Sequence, residues 1–164
     1  MSQEVSRPTV LVLDDEKNIR RSVEIALTAE GYQVLAAHEP AAALRVLHER
    51  IVDLMILDIR LGEIDGLTFY RKAQEDGFNL PAIFISGHAT LTEVAQAVKL
   101  GGFDFLEKPF SAEKLAVAVK RCLEYSQLQQ RVQLVGARPD IVGDSSAIRK
   151  LIADLLKVAA TNAT

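Results

Sequence analysis

A doubly wound α/β fold on a five-stranded parallel sheet is predicted by three features of this 164-residue chain. Five short apolar runs alternate with segments of helical periodicity. The runs are nearly continuous rather than alternating, the pattern of strands buried on both faces by crossover helices. Polar residues follow four of the runs: Asp14-Asp15, Asp58, Ser86 and Lys108. They fall at strand carboxyl ends, where open α/β sheets place their ligand sites.

The elements follow in order. Thr9 to Leu13 is the first strand, and Ile19, Val23, Ala26 and Leu27 then share one helical stripe that Gly31 is placed to end. Gln33 to Ala36 is the second strand, with a helix over Pro40 to Glu49. Leu54 to Leu57 runs into Asp58, and Gly62 and Gly66 mark a loop before a helix over Leu67 to Asp76. Ala82 to Ile85 runs into Ser86, with a helix over Leu91 to Leu100. Phe103 to Leu106 precedes Lys108-Pro109, and a last helix begins at Ala112. Five such βα units imply right-handed crossovers.

Composition restricts the class further. The chain is 49% apolar and 25% charged, enough for a buried core in one ordinary domain with a short appendage. A net charge of −3 offers no general attraction to nucleic acid or to an anionic membrane. No apolar stretch approaches the ~20 residues of a membrane span, and Met1 to Pro8 lacks a signal peptide's apolar core, so a soluble cytoplasmic protein is expected. The single Cys122 lies in an amphipathic segment and reads as a small buried hydrophobe.

If the first and third runs are neighbouring strands, the carboxylates of Asp14, Asp15 and Asp58 meet at one sheet edge. Crowded like charges raise one another's pKa unless a cation neutralises them, so the cluster implies a divalent metal. Ser86 adds a hydroxyl and Lys108 an ammonium. Taken singly, Asp14, Asp15 and Ser86 also suit helix N-caps. Asp58 does not, because a loop separates it from its helix. Lys108 alone would be a surface lysine, but Pro109 restricts it to an extended conformation, and a cis bond there would aim it inward. The agreement of all five positions favours one site.

In order and spacing, Asp14-Asp15, Asp58 with Asp65-Gly66, Ser86-Gly87-His88 and Lys108-Pro109-Phe110 resemble the receiver domains of two-component response regulators, over residues 8–126. The resemblance implies a flavodoxin-like sheet of order 2-1-3-4-5. It implies that Asp58 accepts a phosphoryl group from a sensor histidine kinase. Mg²⁺ would bind Asp15, Asp58 and the backbone carbonyl of Arg60 directly, and Asp14 through water. Two carboxylates, a carbonyl and a phosphoryl oxygen suit the octahedral preference of Mg²⁺. Lys108 would pair with a second phosphoryl oxygen and Ser86 would donate to another. Ser86 and an aromatic at Phe105 would form the switch, although Phe105 also suits ordinary core packing because it lacks a tyrosine's polar tip.

Three positions depart from the family's pattern. Gly62 stands where proline is common, which predicts a looser Asp58 to Asp65 loop. Arg60 and His88 lie where the family controls water access to the phosphoryl group. Arg60 either covers that group or faces solvent as a free cation; His88 either orients a hydrolytic water or sits at the rim.

Beyond Phe110, Leu115, Ala118, Cys122 and Tyr125 form a stripe continued by Leu128, Val132 and Val135. The last helix either pairs with a second copy, giving a homodimer, or folds back on its own domain. Residues 127–140 read as a linker helix and a hinge at Gly136 and Pro139. Residues 141–164, beginning Ile141-Val142-Gly143-Asp144, look like the opening of the ATPase domain of sigma-54-dependent transcription activators. A tail helix completing the core, capped by Ser145, is the alternative. The chain contains no G-x-x-x-x-G-K-[ST] loop, so it is not expected to hydrolyse ATP. The expected whole is an activator of the nitrogen-regulation type, in which other domains contact DNA and sigma-54 RNA polymerase. A haloacid-dehalogenase-type phosphatase needs a second acid where Arg60 stands. A flavin's phosphate would be repelled by the acids after the first strand. A phosphorylation-independent binding module remains as the alternative function.

Overall fold

The computed structural model describes residues 6–134. Five strands, β1 (Thr9–Leu13), β2 (Gln33–Ala37), β3 (Leu54–Asp58), β4 (Ala82–Ser86) and β5 (Asp104–Glu107), form one parallel sheet of order β2-β1-β3-β4-β5. This is the predicted doubly wound, flavodoxin-like arrangement. Helices α1 (Lys17–Ala29), α2 (Pro40–Glu49), α3 (Gly66–Glu75), α4 (Leu91–Lys99) and α5 (Ala112–Leu134) follow the strands in turn.

Alternation along the three interior strands feeds two cores. Leu11, Leu13, Met55, Leu57 and Phe84 face a cluster with Ala43 and Leu47 of α2, Phe69, Tyr70 and Ala73 of α3 and Ala97 of α4. Val10, Val12, Leu54, Ile56, Ile83 and Ile85 face the other, with Val23 and Leu27 of α1 and Leu115, Ala118, Val119 and Cys122 of α5. Each fully buried aliphatic side chain contributes roughly 1.5–3 kcal/mol relative to exposure, so these two layers hold the sheet rigid.

Burial on both faces holds for β1, β3 and β4 but not for β2, where Gln33 and Ala36 are exposed. As an edge strand it has one neighbour and less helix cover. The fifth strand begins at Asp104 rather than Phe103, although Phe103 is buried. Gly31 ends α1 as expected, with φ +91°. Gly62 takes φ +84°, a left-handed turn that most side chains resist.

Among the described residues, no helix is long and apolar enough to cross a membrane. The chain divides into two compact units after Leu123, so α5 contributes to both. Within the first unit, Leu115, Ala118 and Cys122 are core residues, as are Val119 and Leu123, which lie off the predicted stripe. The stripe's next members, Tyr125, Leu128 and Val132, are exposed. Val135, the hinge at Gly136 and Pro139, and residues 141–164 lie outside the described residues.

Candidate functional site

Strand pairing assembles the site. Leu13 pairs with Leu57, Asp58 with Ile85 and Ser86 with Glu107, so the chain leaves β1, β3, β4 and β5 at one level. Lys108 is held there by its backbone N–H, which donates to the Ser86 carbonyl at 2.8 Å. The Lys108-Pro109 peptide is cis. An open cleft of about 480 Å³ results, lined by Asp15, Asp58, Arg60, Ser86, His88 and Lys108 among others.

The strand-end residues do not cap the helices that follow them: other groups cap α3 and α4, and α1 starts without a side-chain cap. Asp65 caps α3 by accepting from the Thr68 N–H at 2.6 Å. Thr90 caps α4 in a reciprocal box with Glu93. The N-cap position of α1 is Glu16, whose side chain makes no capping bond. Asp14 instead closes a tight turn, its Oδ1 accepting from the Glu16 N–H at 2.8 Å, while Arg20 Nη1 donates to the Asp14 carbonyl at 2.8 Å. Ser86 Oγ accepts from the His88 N–H at 3.3 Å.

Lys108 Nζ lies 2.9 Å from Asp14 Oδ2, 3.1 Å from Asp58 Oδ2 and 3.2 Å from Glu16 Oε1. Asp14, Asp58 and Ser86 are buried, whereas Asp15 and Glu16 are exposed. Burial pushes the Asp14 carboxyl up to about 6, against the opposing pull of Lys108 and the Glu16 N–H, and also raises that of Asp58. Burial would lower the Lys108 ammonium, but Asp14 and Asp58 more than offset it and hold the lysine charged. The site therefore gathers its carboxyls around one charged ammonium.

The arrangement fits a hard cation. Carboxylate oxygens of Asp14, Asp15, Glu16 and Asp58 lie within 4.8 Å of one another. Asp14 Oδ2 is buried and, despite its ion pair with Lys108, lacks a hydrogen bond of acceptable geometry. An oxygen-rich, acidic and partly open cluster matches what hard divalent ions prefer. Glu16 was absent from the sequence-derived site, although its adjacency to Asp14-Asp15 was the available signal.

The remaining candidates separate. Arg60 faces solvent at the cleft rim, its side chain 59% exposed: its Nη2 donates to the His88 carbonyl at 3.0 Å and lies 3.6 Å from Glu93 Oε1. Its backbone N–H donates to Asp58 Oδ1 at 3.1 Å. His88 is exposed at the cleft rim, and Phe105 is half-buried against the core that contains Phe84. Gly66 also serves the site, since a Cβ there would overlap the carbonyl oxygen of Asp58. Only glycine lets α3 start this close to the end of β3.

Comparison with known proteins agrees with this geometry. Residues 10–120 match the model of the response regulator receiver domain. The nitrogen assimilation regulatory protein NtrX of Azorhizobium caulinodans is 35% identical over 158 residues, spanning 93% of this chain and 35% of that protein. A putative NtrX-like response regulator of Rickettsia bellii is 35% identical over 159 residues, 93% of this chain and 33% of its own. The chain thus spans about a third of the length of these curated relatives. The crystal structure of the NtrX receiver domain from Brucella abortus superposes with a TM-score of 0.66 at 36% identity, over 70% of this chain and 98% of that one. With Asp58, the flanking acids, Ser86 and Lys108 gathered at one edge of a 2-1-3-4-5 sheet, this chain belongs to the response regulator receiver domain family.

Proposed function

We propose that the chain is a phosphorylation-dependent switch in which Asp58 accepts a phosphoryl group from a phosphohistidine of a sensor histidine kinase. One observation carries this reading: Asp58 is a buried carboxylate that opens onto a cleft and bonds the Lys108 ammonium at 3.1 Å. An Asp58 oxygen attacks phosphorus, the new P–O bond forms as the P–N bond breaks, and the imidazole leaves with a proton from solvent. Asp15, Asp58 and the Arg60 carbonyl, with Asp14 through water, would hold Mg²⁺, which would supply charge neutralisation for the phosphoryl group. Lys108 follows the new charge from Asp58 to a phosphoryl oxygen, and the Ser86 hydroxyl donates to another. Arg60 lengthens the phosphorylated state, whereas His88 sits at the cleft rim.

The signal leaves through Ser86 at the end of β4 and Phe105 within β5. In this reading residues 8–126 act as the receiver, 127–140 as a linker helix and hinge, and 141–164 open an ATPase domain. The receiver then controls homodimer assembly of a sigma-54-dependent activator whose other domains contact DNA and sigma-54 RNA polymerase. The similarity to NtrX proteins over nearly the whole chain supports that context.

Intact-protein mass after incubation with acetyl phosphate and Mg²⁺ tests the reading. The expected result is one acid- and base-sensitive phosphoryl group on the wild type and none on Asp58→Asn or without Mg²⁺. No modification, with Mg²⁺ binding confirmed, would replace this reading with the phosphorylation-independent binding module.

A further inference from the structure

The side chain of Arg60 turns away from Asp58 although its backbone N–H bonds that carboxylate. The guanidinium reaches the β4–α4 loop, donating to the His88 carbonyl at 3.0 Å and pairing with Glu93 at 3.6 Å. Glu93 is already committed: its Oε2 accepts from the Thr90 N–H at 2.8 Å, while Thr90 Oγ1 accepts from the Glu93 N–H at 3.2 Å. One carboxylate therefore does two jobs with two oxygens. Oε2 closes the first turn of α4, and Oε1 ties that turn to the loop that follows the acceptor.

We propose that Glu93 is a positioning residue that holds Arg60 away from the acceptor. Phosphorylation of Asp58 draws Arg60 across, and the β4–α4 loop and the first turn of α4 are untied from the acceptor loop. The inference rests on Asp58 being the acceptor. Arg60 lines the same cleft as Asp58, so the two destinations of its guanidinium are neighbours. The Arg60 side chain is 59% exposed, which makes its pairing with a single carboxylate weak and salt-screened. A phosphoryl group brings a charge of about −1.5 to −2 and three strong acceptor oxygens, and a guanidinium meets them with a planar fork. The stronger anion takes the arginine. The His88 carbonyl and Glu93 Oε1 then lose their donor together, while the Thr90 and Glu93 box that keeps α4 helical survives.

Two substitutions separate the two jobs of Glu93. Glu93→Gln keeps the box, because Gln serves at this position as Glu does, but removes the charge that holds Arg60. Thr90→Ala weakens the cap and leaves that charge in place. Both variants, Arg60→Ala and the Arg60→Ala/Glu93→Gln double variant are treated with acetyl phosphate and Mg²⁺ and checked by intact mass. Amide hydrogen exchange over residues 87–94 and the lifetime of the acyl phosphate are then measured.

In the wild type, phosphorylation is expected to speed exchange over residues 87–94. Unphosphorylated Glu93→Gln should already exchange at that faster rate and gain nothing on phosphorylation. Its acyl phosphate should last about two- to threefold longer, the factor an exposed ion pair is worth. Glu93→Gln should add nothing in the Arg60→Ala background, and Thr90→Ala should speed exchange without changing the lifetime. A Glu93→Gln variant that matches the wild type, or acts equally without Arg60, overturns the inference. So does a Thr90→Ala variant with the same lifetime change. A wild type that gains no phosphoryl group overturns it together with the acceptor reading; a phosphorylated wild type with unchanged exchange overturns it alone.

Discussion

The bodies of β1, β3 and β4 and their carboxyl ends are shielded from water to the same degree but built of opposite chemistry. Val10 to Leu13, Leu54 to Leu57 and Ile83 to Ile85 are fully buried aliphatic and aromatic residues; Asp14, Asp58 and Ser86 continue the same strands at 0%, 3% and 0% exposure. Burial stabilises the first group in proportion to the apolar area removed from water. It opposes ionisation in the second, as the raised carboxyls of Asp14 and Asp58 record. The strand bodies therefore make a rigid frame, and the frame holds charges that would otherwise separate. In the proposed function, an incoming cation or phosphoryl group would meet a site that is ordered before it arrives.

The sharpest way to break this comparison is to remove the shared counter-charge. Lys108→Met should leave Asp14 and Asp58 buried without their cation and lower stability by about 3–5 kcal/mol at pH 7. Denaturant unfolding should show that loss shrinking when Mg²⁺ is added, since a ligand of the folded state adds stability. In a strand body, Ile56→Ala should cost about 3 kcal/mol by transfer and cavity effects alone. The loss should be the same with or without Mg²⁺ and across pH 5 to 8. A Mg²⁺-dependent loss at Ile56 would mean that frame and site are not separable.

A smaller effect of opposite sign is expected at Asp14. Its folded carboxyl, near 6, lies above the ordinary value of 3.8, so its contribution to stability is present below about pH 4 and is lost as pH rises through 6. Asp14→Asn should therefore stabilise the metal-free protein by about 1–2 kcal/mol at pH 7, with the gain vanishing toward pH 4. Lys108 keeps Asp58 and Glu16 in that variant, which limits the offset. Urea titrations at a series of pH values check it; a variant less stable than wild type at pH 7 without metal would overturn the assignment of strain to Asp14. The smallest expected effect is at the loops outside the site. Thr90→Ala should cost about 1 kcal/mol through the α4 cap and leave phosphorylation by acetyl phosphate unchanged.

Most of the fold was legible because buried parallel strands write continuous apolar runs, and because turn chemistry marks their ends. The α2 boundaries match the reading from Pro40 to Glu49 and α5 starts at Ala112 as read, while α4 ends one residue early and α3 is shifted by one residue at both ends. The edge position of β2 was not legible from Gln33 to Ala36, since exposure there depends on which strands lack a neighbour. The α5 stripe was legible only in part. Leu115, Ala118 and Cys122 are core, but so are Val119 and Leu123, because the helix packs across a broader surface than a two-helix seam.

The site divides in the same way. Asp14, Asp58, Ser86 and Lys108 were readable because each follows its own strand, and parallel pairing carries strand ends to one edge. Glu16 and Glu93 were not. Glu16 reads as an exposed helix start until Lys108 arrives from 92 residues away, and Glu93 reads as a cap until Arg60 reaches it from the loop after β3. Local order, periodicity and the strand-end polar residues were determined by the sequence by itself, because backbone geometry links them to neighbours in the chain. Which carboxylates share the ammonium, which side chain Arg60 holds, and how far burial displaces each carboxyl were decided only by the tertiary structure. Those quantities depend on distances and desolvation between elements, and no local pattern carries them.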